Sequence, residues 1–323
     1  MKTDLLERKP WIVYIMLAFA TSSWGSAFIA GNFATQDLSP SAVAFFRFFF
    51  ATLLLIPLML WMDKGGRRPK GKEWFLVCLL GLTGIALYNI AFFIAARDAP
   101  IVKSSLFIAS NPVLIAVLSG LFLKEKITGK NVIGLVLALS GAFIIITEGN
   151  VRQLAEAGLA PIDLILLLAV VCWALYSVLG KVALQKYSAI TSTTYAVGAG
   201  TIMLFPFAFM DTAPAQLQNA SLLTWGSILH MSIIVSVASF IMYYQGIKMI
   251  GAAKASIFIN LMPLSAVILA MLLLGEPFLY VHMAGALLVL TGVTVGTRRN
   301  GQGKKRNSAK SETTDSVKVS AGR

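Results

Sequence analysis

The sequence predicts an all-α membrane protein, with ten transmembrane helices forming two inverted five-helix repeats around a central cavity. Three observations predict it. Hydrophobic residues make up 57% of the 323 residues and charged residues 13%, about half the charged share of soluble domains, too few to cover a soluble fold. Apolar runs long enough to cross a bilayer recur along most of the chain. The segment Lys103 to Glu125, KSSLFIASNPVLIAVLSGLFLKE, returns at Lys254 to Glu276 as KASIFINLMPLSAVILAMLLLGE, shifted by 151 residues without a gap.

The chain reads as spans 11–34, 40–62, 73–96, 101–123 and 129–147, a linker, then 162–184, 189–210, 222–247, 252–274 and 278–297. Span 1 is too long, and too closely followed by span 2, for a cleaved signal peptide. Spans 1 and 2 return at a shift of 149, with Trp24 on Trp173, Gly31 on Gly180 and Pro57 on Pro206. Spans 4 and 5 return as spans 9 and 10, with Pro112 on Pro263, Glu125 on Glu276, Gly134 on Gly285 and Gly141 on Gly292. The repeats therefore occupy 1–148 and 162–298, joined by the Gly- and Pro-bearing linker 149–161. Five spans per half is an odd number, so the second repeat enters the membrane from the opposite side. Inverted repeats supply two related, oppositely facing arrangements of one machine, a transporter signature. Residues 299–323 are polar and basic, too poor in apolar groups to fold, and are expected to form a disordered cytoplasmic tail.

The net charge of +13 does not imply nucleic acid, because the basic residues sit between spans and in the tail. With the N-terminus in the cytoplasm, 23 of the 27 Lys and Arg fall inside and only Arg97, Lys103 and Arg152 outside. This bias places both termini in the cytoplasm of a multi-pass cell-membrane protein. Cys78 and Cys172 lie within apolar runs and form no spaced ligand set, so neither disulfide, metal nor other cofactor is expected.

Trp24-Gly25 in span 1, Phe46-Arg47-Phe48 with Ala51 in span 2, and the paired Pro112/Pro263, Glu125/Glu276 and Gly134/Gly285 together resemble the EamA-type members of the drug/metabolite transporter superfamily. The resemblance covers residues 11 to 297. It implies a cavity between spans 1, 3, 4, 6, 8 and 9, and movement, often efflux, of amino acids, amines or related small metabolites. Span 7 carries Ala196 where span 2 has Arg47, so that charge is not duplicated.

The residues themselves suggest a site. A proline inside a helix leaves the carbonyl four residues earlier without a donor, here Ile108 and Ile259. Such breaks must face protein or a watery cavity, and with Asn111 and Asn260 they offer acceptors to a substrate ammonium or hydroxyl. Trp24, Tyr88, Asn89, Phe92, Trp173, Tyr176, Ser239 and Tyr243 cluster on the expected lining helices and suit a ligand with an apolar body and one or two polar groups. The expected substrate-binding set is these eight with Asn111, Pro112, Asn260 and Pro263. Lys103 and Lys254 are candidate gating residues at opposite mouths. Arg47, about eight residues into span 2, reads as a structural or snorkelling arginine. Glu125 and Glu276 read as caps of the helices that follow them. No Asp or Glu lies at mid-depth to relay protons, and His230 stands alone in span 8.

The expected partners are a small-molecule substrate and the lipid bilayer, with a homodimer allowed and no nucleic acid. Two other classes compete with a carrier working by alternating access. A lipid-processing membrane enzyme would need paired carboxylates or an HExxH-like set, and none is visible. A non-transporting sensor or scaffold would be expected to add a folded soluble domain.

Overall fold

The structure, a computed structural model, describes residues 10–98, 107–150, 152, 156, 160–274 and 280–297. Among them, nine helices are long and apolar enough to cross a membrane: α1 (Trp11–Asp37), α2 (Pro40–Met62), α3 (Glu73–Ala95), α5 (Gly129–Thr147), α6 (Ile162–Ala183), α7 (Ala189–Met210), α8 (Leu222–Ile250), α9 (Ala252–Leu273) and α10 (Tyr280–Thr297). A shorter apolar helix, α4 (Phe107–Leu123), completes the expected ten. The described residues contain no strand. Lys103, Glu276, most of the linker and the tail from 299 lie outside them.

Four of the helix starts are set by short polar side chains that accept the first free N–H groups. Ser39 accepts from Ala42 N at α2, Ser188 from Thr191 N at α7 and Ser221 from Thr224 N at α8. Thr128 and Asn131 form a reciprocal capping box at α5. Each such cap is worth about 1 kcal/mol. Between α8 and α9 the chain reverses through the single residue Gly251, whose φ of 91° is open to glycine and strained for other residues.

The repeats interlock across a pseudo-twofold. α1 packs on α8 and α9, and its counterpart α6 packs on α3 and α4. α2 pairs with α7, where Thr52 and its repeat mate Thr201 share a hydrogen bond of 3.1 Å. α5 pairs with α10 through glycines that let the backbones touch. A Cβ on Gly134 would strike Gly292 and Gly296, and one on Gly141 would strike Gly285. Exchanging the repeats turns the Gly134–Gly292 contact into Gly285–Gly141, as a twofold requires. Asn131 Nδ2 donates to Gly296 O at 2.5 Å and ties this pair at one end.

Two spans widen into π-helix at equivalent places. α3 winds as a π-helix over Gly81–Leu87, and α8 does so over Met231–Ala238. π segments leave carbonyls without their usual donors and tend to mark functional positions.

Candidate functional site

The site grows from these π segments. Just beyond each, a polar side chain takes a carbonyl left over by the wider turn. Asn89 Nδ2 donates to Ile85 O at 2.9 Å and Gly84 O at 3.3 Å, and Ser239 Oγ donates to Ile234 O at 2.6 Å. Asn89 and Ser239 thus share one local task in the two repeats. The Asn89 amide, held this way, turns its oxygen to Arg47, whose Nη1 donates to it at 3.3 Å. Arg47 Nε donates to Ser236 Oγ at 2.9 Å. Arg47 therefore does not snorkel. Its residue is 5% exposed, and its guanidinium joins α2, α3 and α8 inside the bundle.

The proline in α4 acts differently from the sequence expectation. Pro112 cannot donate to Ile108 O, but that carbonyl is not left free: Asn111 Nδ2 takes it at 3.0 Å. The acceptor that remains is Asn111 Oδ1, buried and without a partner among the described residues. Asn260 Nδ2 likewise donates to Ile257 O at 3.3 Å, and its Oδ1 is buried and unpaired.

Between the repeats lies a cavity of about 40 Å³, room for roughly three water molecules. Trp24, Tyr88, Asn89, Phe92, Asn111 and Trp173 from the expected set line it. The aromatic rings form a continuous wall: Trp24 meets Trp173 at 5.1 Å between centroids, Trp173 meets Tyr88 at 4.8 Å, and Tyr88 stacks on Phe92 at 6.0 Å. Trp24 Nε1 donates to Val235 O at 3.2 Å, which fixes its ring.

Six expected residues do not touch the cavity in this conformation. Tyr176 and Tyr243 pack beyond Trp173 and Trp24 instead, with Tyr176 stacked on Tyr244 at 5.0 Å and Tyr243 against Trp24 at 5.0 Å. All three tyrosines are buried. They form a plug on the side of the basic loops, such as 63–72. Ser239 is taken up by the π segment and by Ser23 Oγ at 2.5 Å. Asn260 is buried in a 3-10 turn, Ile257–Asn260, at the break in α9. Pro112 opens the regular part of α4 and Pro263 lies near the start of that of α9, so both shape helices rather than present atoms to the space.

The end contacts also revise the sequence picture. Glu125 caps a helix of the other repeat, not the one that follows it. Its carboxylate accepts from Ala252 N at 3.0 Å and Ala253 N at 3.1 Å at the start of α9. Lys181 Nζ closes the neighbouring end of α8 by donating to Ile247 O at 2.8 Å. Lys254 is half-buried in the first turn of α9 and forms no ion pair with any described residue. His230 is not alone, since its Nε2 lies 2.8 Å from Ser26 Oγ. At the basic loops, Asp63 accepts from Ser188 Oγ at 2.5 Å and from Thr191. Burial works to raise its carboxyl pKa, but these hydroxyls, with Arg68 and Lys248, hold it below the ordinary value. Tyr187 donates to Glu73 at 2.6 Å. Burial, aided by this bond to a carboxylate, pushes its phenol up to about 12.

Sequence reasoning missed part of the lining. Ala27 and Phe28 sit one turn from Trp24, so helical spacing marks them as sharing its face. Ile108 and Ile259, repeat mates, both line the cavity. Phe240, Met262 and Val235 carry no chemical signal in sequence. Arg47 was visible as a lone intramembrane charge, but the resemblance kept span 2 off the cavity, and the structure puts this residue on it.

Ten apolar spans in two interlocked repeats, closed around a polar-aromatic cavity, define a polytopic membrane transporter. The chain belongs to the EamA-like transporter family, whose sequence profile matches residues 11–147 and 160–297. It is 31% identical over 281 residues to the protein named "Uncharacterized transporter YyaM" of Bacillus subtilis (strain 168), covering 87% of this chain and 92% of that one. It is 26% identical to the "Probable terminal-alkyne amino-acid exporter" of Streptantibioticus cattleyicolor (strain ATCC 35852 / DSM 46488 / JCM 4925 / NBRC 14057 / NRRL 8057), covering 88% and 92%. A crystal structure shares the fold with a TM-score of 0.72 at 17% identity, covering 89% of this chain and 99% of the other.

Proposed function

We propose that the protein exports a small metabolite, an amino acid, amine or related compound, across the cell membrane by alternating access, with both termini in the cytoplasm. The carrying observation is the cavity lined by both repeats and walled by the matched Trp24 and Trp173, with buried tyrosines packed on its basic side. A site on the pseudo-twofold can be exposed to either side by rocking one repeat against the other. The π segments of α3 and α8 are natural places for that bend. At about 40 Å³ the cavity is smaller than a metabolite, so loading requires the aromatic wall to part. The relative named as an amino-acid exporter supports both the direction and the substrate range.

Proteoliposomes loaded with unlabelled compound test this. Saturable counterflow of a labelled amino acid or amine is expected. Absence of flux across a panel of both classes overturns the reading.

A further inference from the structure

We infer that Arg47 and Asn111 are the two poles of a clamp that holds the carboxylate and the ammonium of an amino-acid zwitterion. The inference rests on the cavity being the substrate site.

The positive pole follows from what Arg47 lacks. A guanidinium has five N–H donors. Two meet Ser236 Oγ and Asn89 Oδ1, which are both neutral. No acidic side chain among the described residues pairs with it. A charge this deep in a bundle is costly without a counter-ion, and the residue lines the cavity. Its two anchors fix the plane of the fork without neutralising it. A ligand carboxylate is the group that would complete it, through short charge-assisted bonds.

The negative pole follows from Pro112. Because proline has no N–H, Ile108 O takes the Asn111 amide nitrogen. That commits the amide orientation and leaves Oδ1 as an acceptor with no described partner, in a residue 1% exposed that lines the same cavity. A carbonyl oxygen suits an ammonium donor. The Tyr88 and Trp173 rings add π faces that attract a cation, while Phe28 and Phe240 leave the rest of the wall for an apolar side chain.

The test uses purified full-length protein in proteoliposomes and sets of probes built on leucine, methionine and phenylalanine. Each set holds the amino acid, its amide, its desamino acid and its decarboxylated amine. The wild type should take at least one parent amino acid with a half-saturation concentration about tenfold or more below those of its three analogues. Arg47→Gln should abolish the preference for the parent over its amide, with Arg47→Lys intermediate. Asn111→Leu should abolish the preference for the parent over the desamino acid. A purely structural arginine would lower flux of every probe alike and leave the ratios unchanged, which overturns the clamp. The wild-type comparison needs no variant to fold. If amides or amines move as well as the parents, or instead of them, the clamp fails while the carrier reading stands. If no probe moves, the carrier reading falls and the clamp with it.

Discussion

Trp24 and Trp173 occupy the same place in the two repeats and meet edge to face, with centroids 5.1 Å apart and planes at 88°. One helix position, copied and inverted, thus meets its own copy on the pseudo-twofold, at the boundary between the cavity and the tyrosine plug. A ring pair of this geometry contributes about 0.5–1.5 kcal/mol beyond its burial, enough to hold the closed side without locking it.

Trp24→Phe keeps an aromatic wall but removes the bond from Nε1 to Val235 O. The expected loss is about 1 kcal/mol of stability, with flux reduced several-fold in proteoliposomes. Trp24→Ala removes the wall itself and should abolish flux. Full flux in the alanine variant would remove Trp24 from the transport path.

Glu125→Gln tests the cross-repeat cap. The glutamine has a single acceptor oxygen, so it keeps only one of the two bonds from Ala252 N and Ala253 N, and it carries no charge toward the start of α9, an interaction worth about 0.3–1 kcal/mol. In a Cys78→Ser/Cys172→Ser background carrying Ser177→Cys, the substitution should speed maleimide labelling from the basic side. An unchanged labelling rate would mean that Glu125 does not help to keep this side closed.

Gly292→Val probes the α5–α10 seam. Any Cβ there strikes Ala138 and the backbone of Gly134, and overpacking of this kind costs about 1–3 kcal/mol. The melting temperature in detergent should fall. Gly226→Ala, where a Cβ meets open space, should leave it nearly unchanged.

The basic loops carry the pH dependence. Tyr187 has its phenol raised from 10.0 to about 12, so the fold favours the protonated form. That stabilisation is complete below pH 10 and is lost as pH rises towards 12. Asp63 is shifted the other way, below 3.8, so its contribution is present above that pH and lost as pH falls through its lowered value. Melting curves should show Tyr187→Phe converging on the wild type above pH 10, and Asp63→Asn converging on it in acid. A constant gap at either limb would contradict the corresponding shift.

Much of the fold was legible because a bilayer permits few solutions. Backbone groups in hydrocarbon must be satisfied within the segment, so an apolar run becomes a helix whatever its neighbours do. The glycines matched at 134/285 and 141/292 were legible as a repeat and proved to be the α5–α10 contact. The π segments were not legible. Nothing in GLTGIAL or MSIIVSVA departs from an ordinary apolar helix, and the wider turn is apparent only in the carbonyls that Asn89 and Ser239 take up.

The sequence by itself determined the ten spans, the five-and-five duplication, the inversion that an odd number imposes, and the aromatic character of α1, α3, α6 and α8. Those properties are local or follow from counting, and the membrane enforces them. Tertiary structure alone decided which polar atoms face the cavity. It placed Arg47 inward beside Asn89 and Ser236, gave the Ile108 carbonyl to Asn111, and sent Glu125 across to α9. The physical reason is that a buried polar group takes whichever partner packing brings within about 3 Å, and these partners come from helices far apart in the chain or from the pairing a proline forbids.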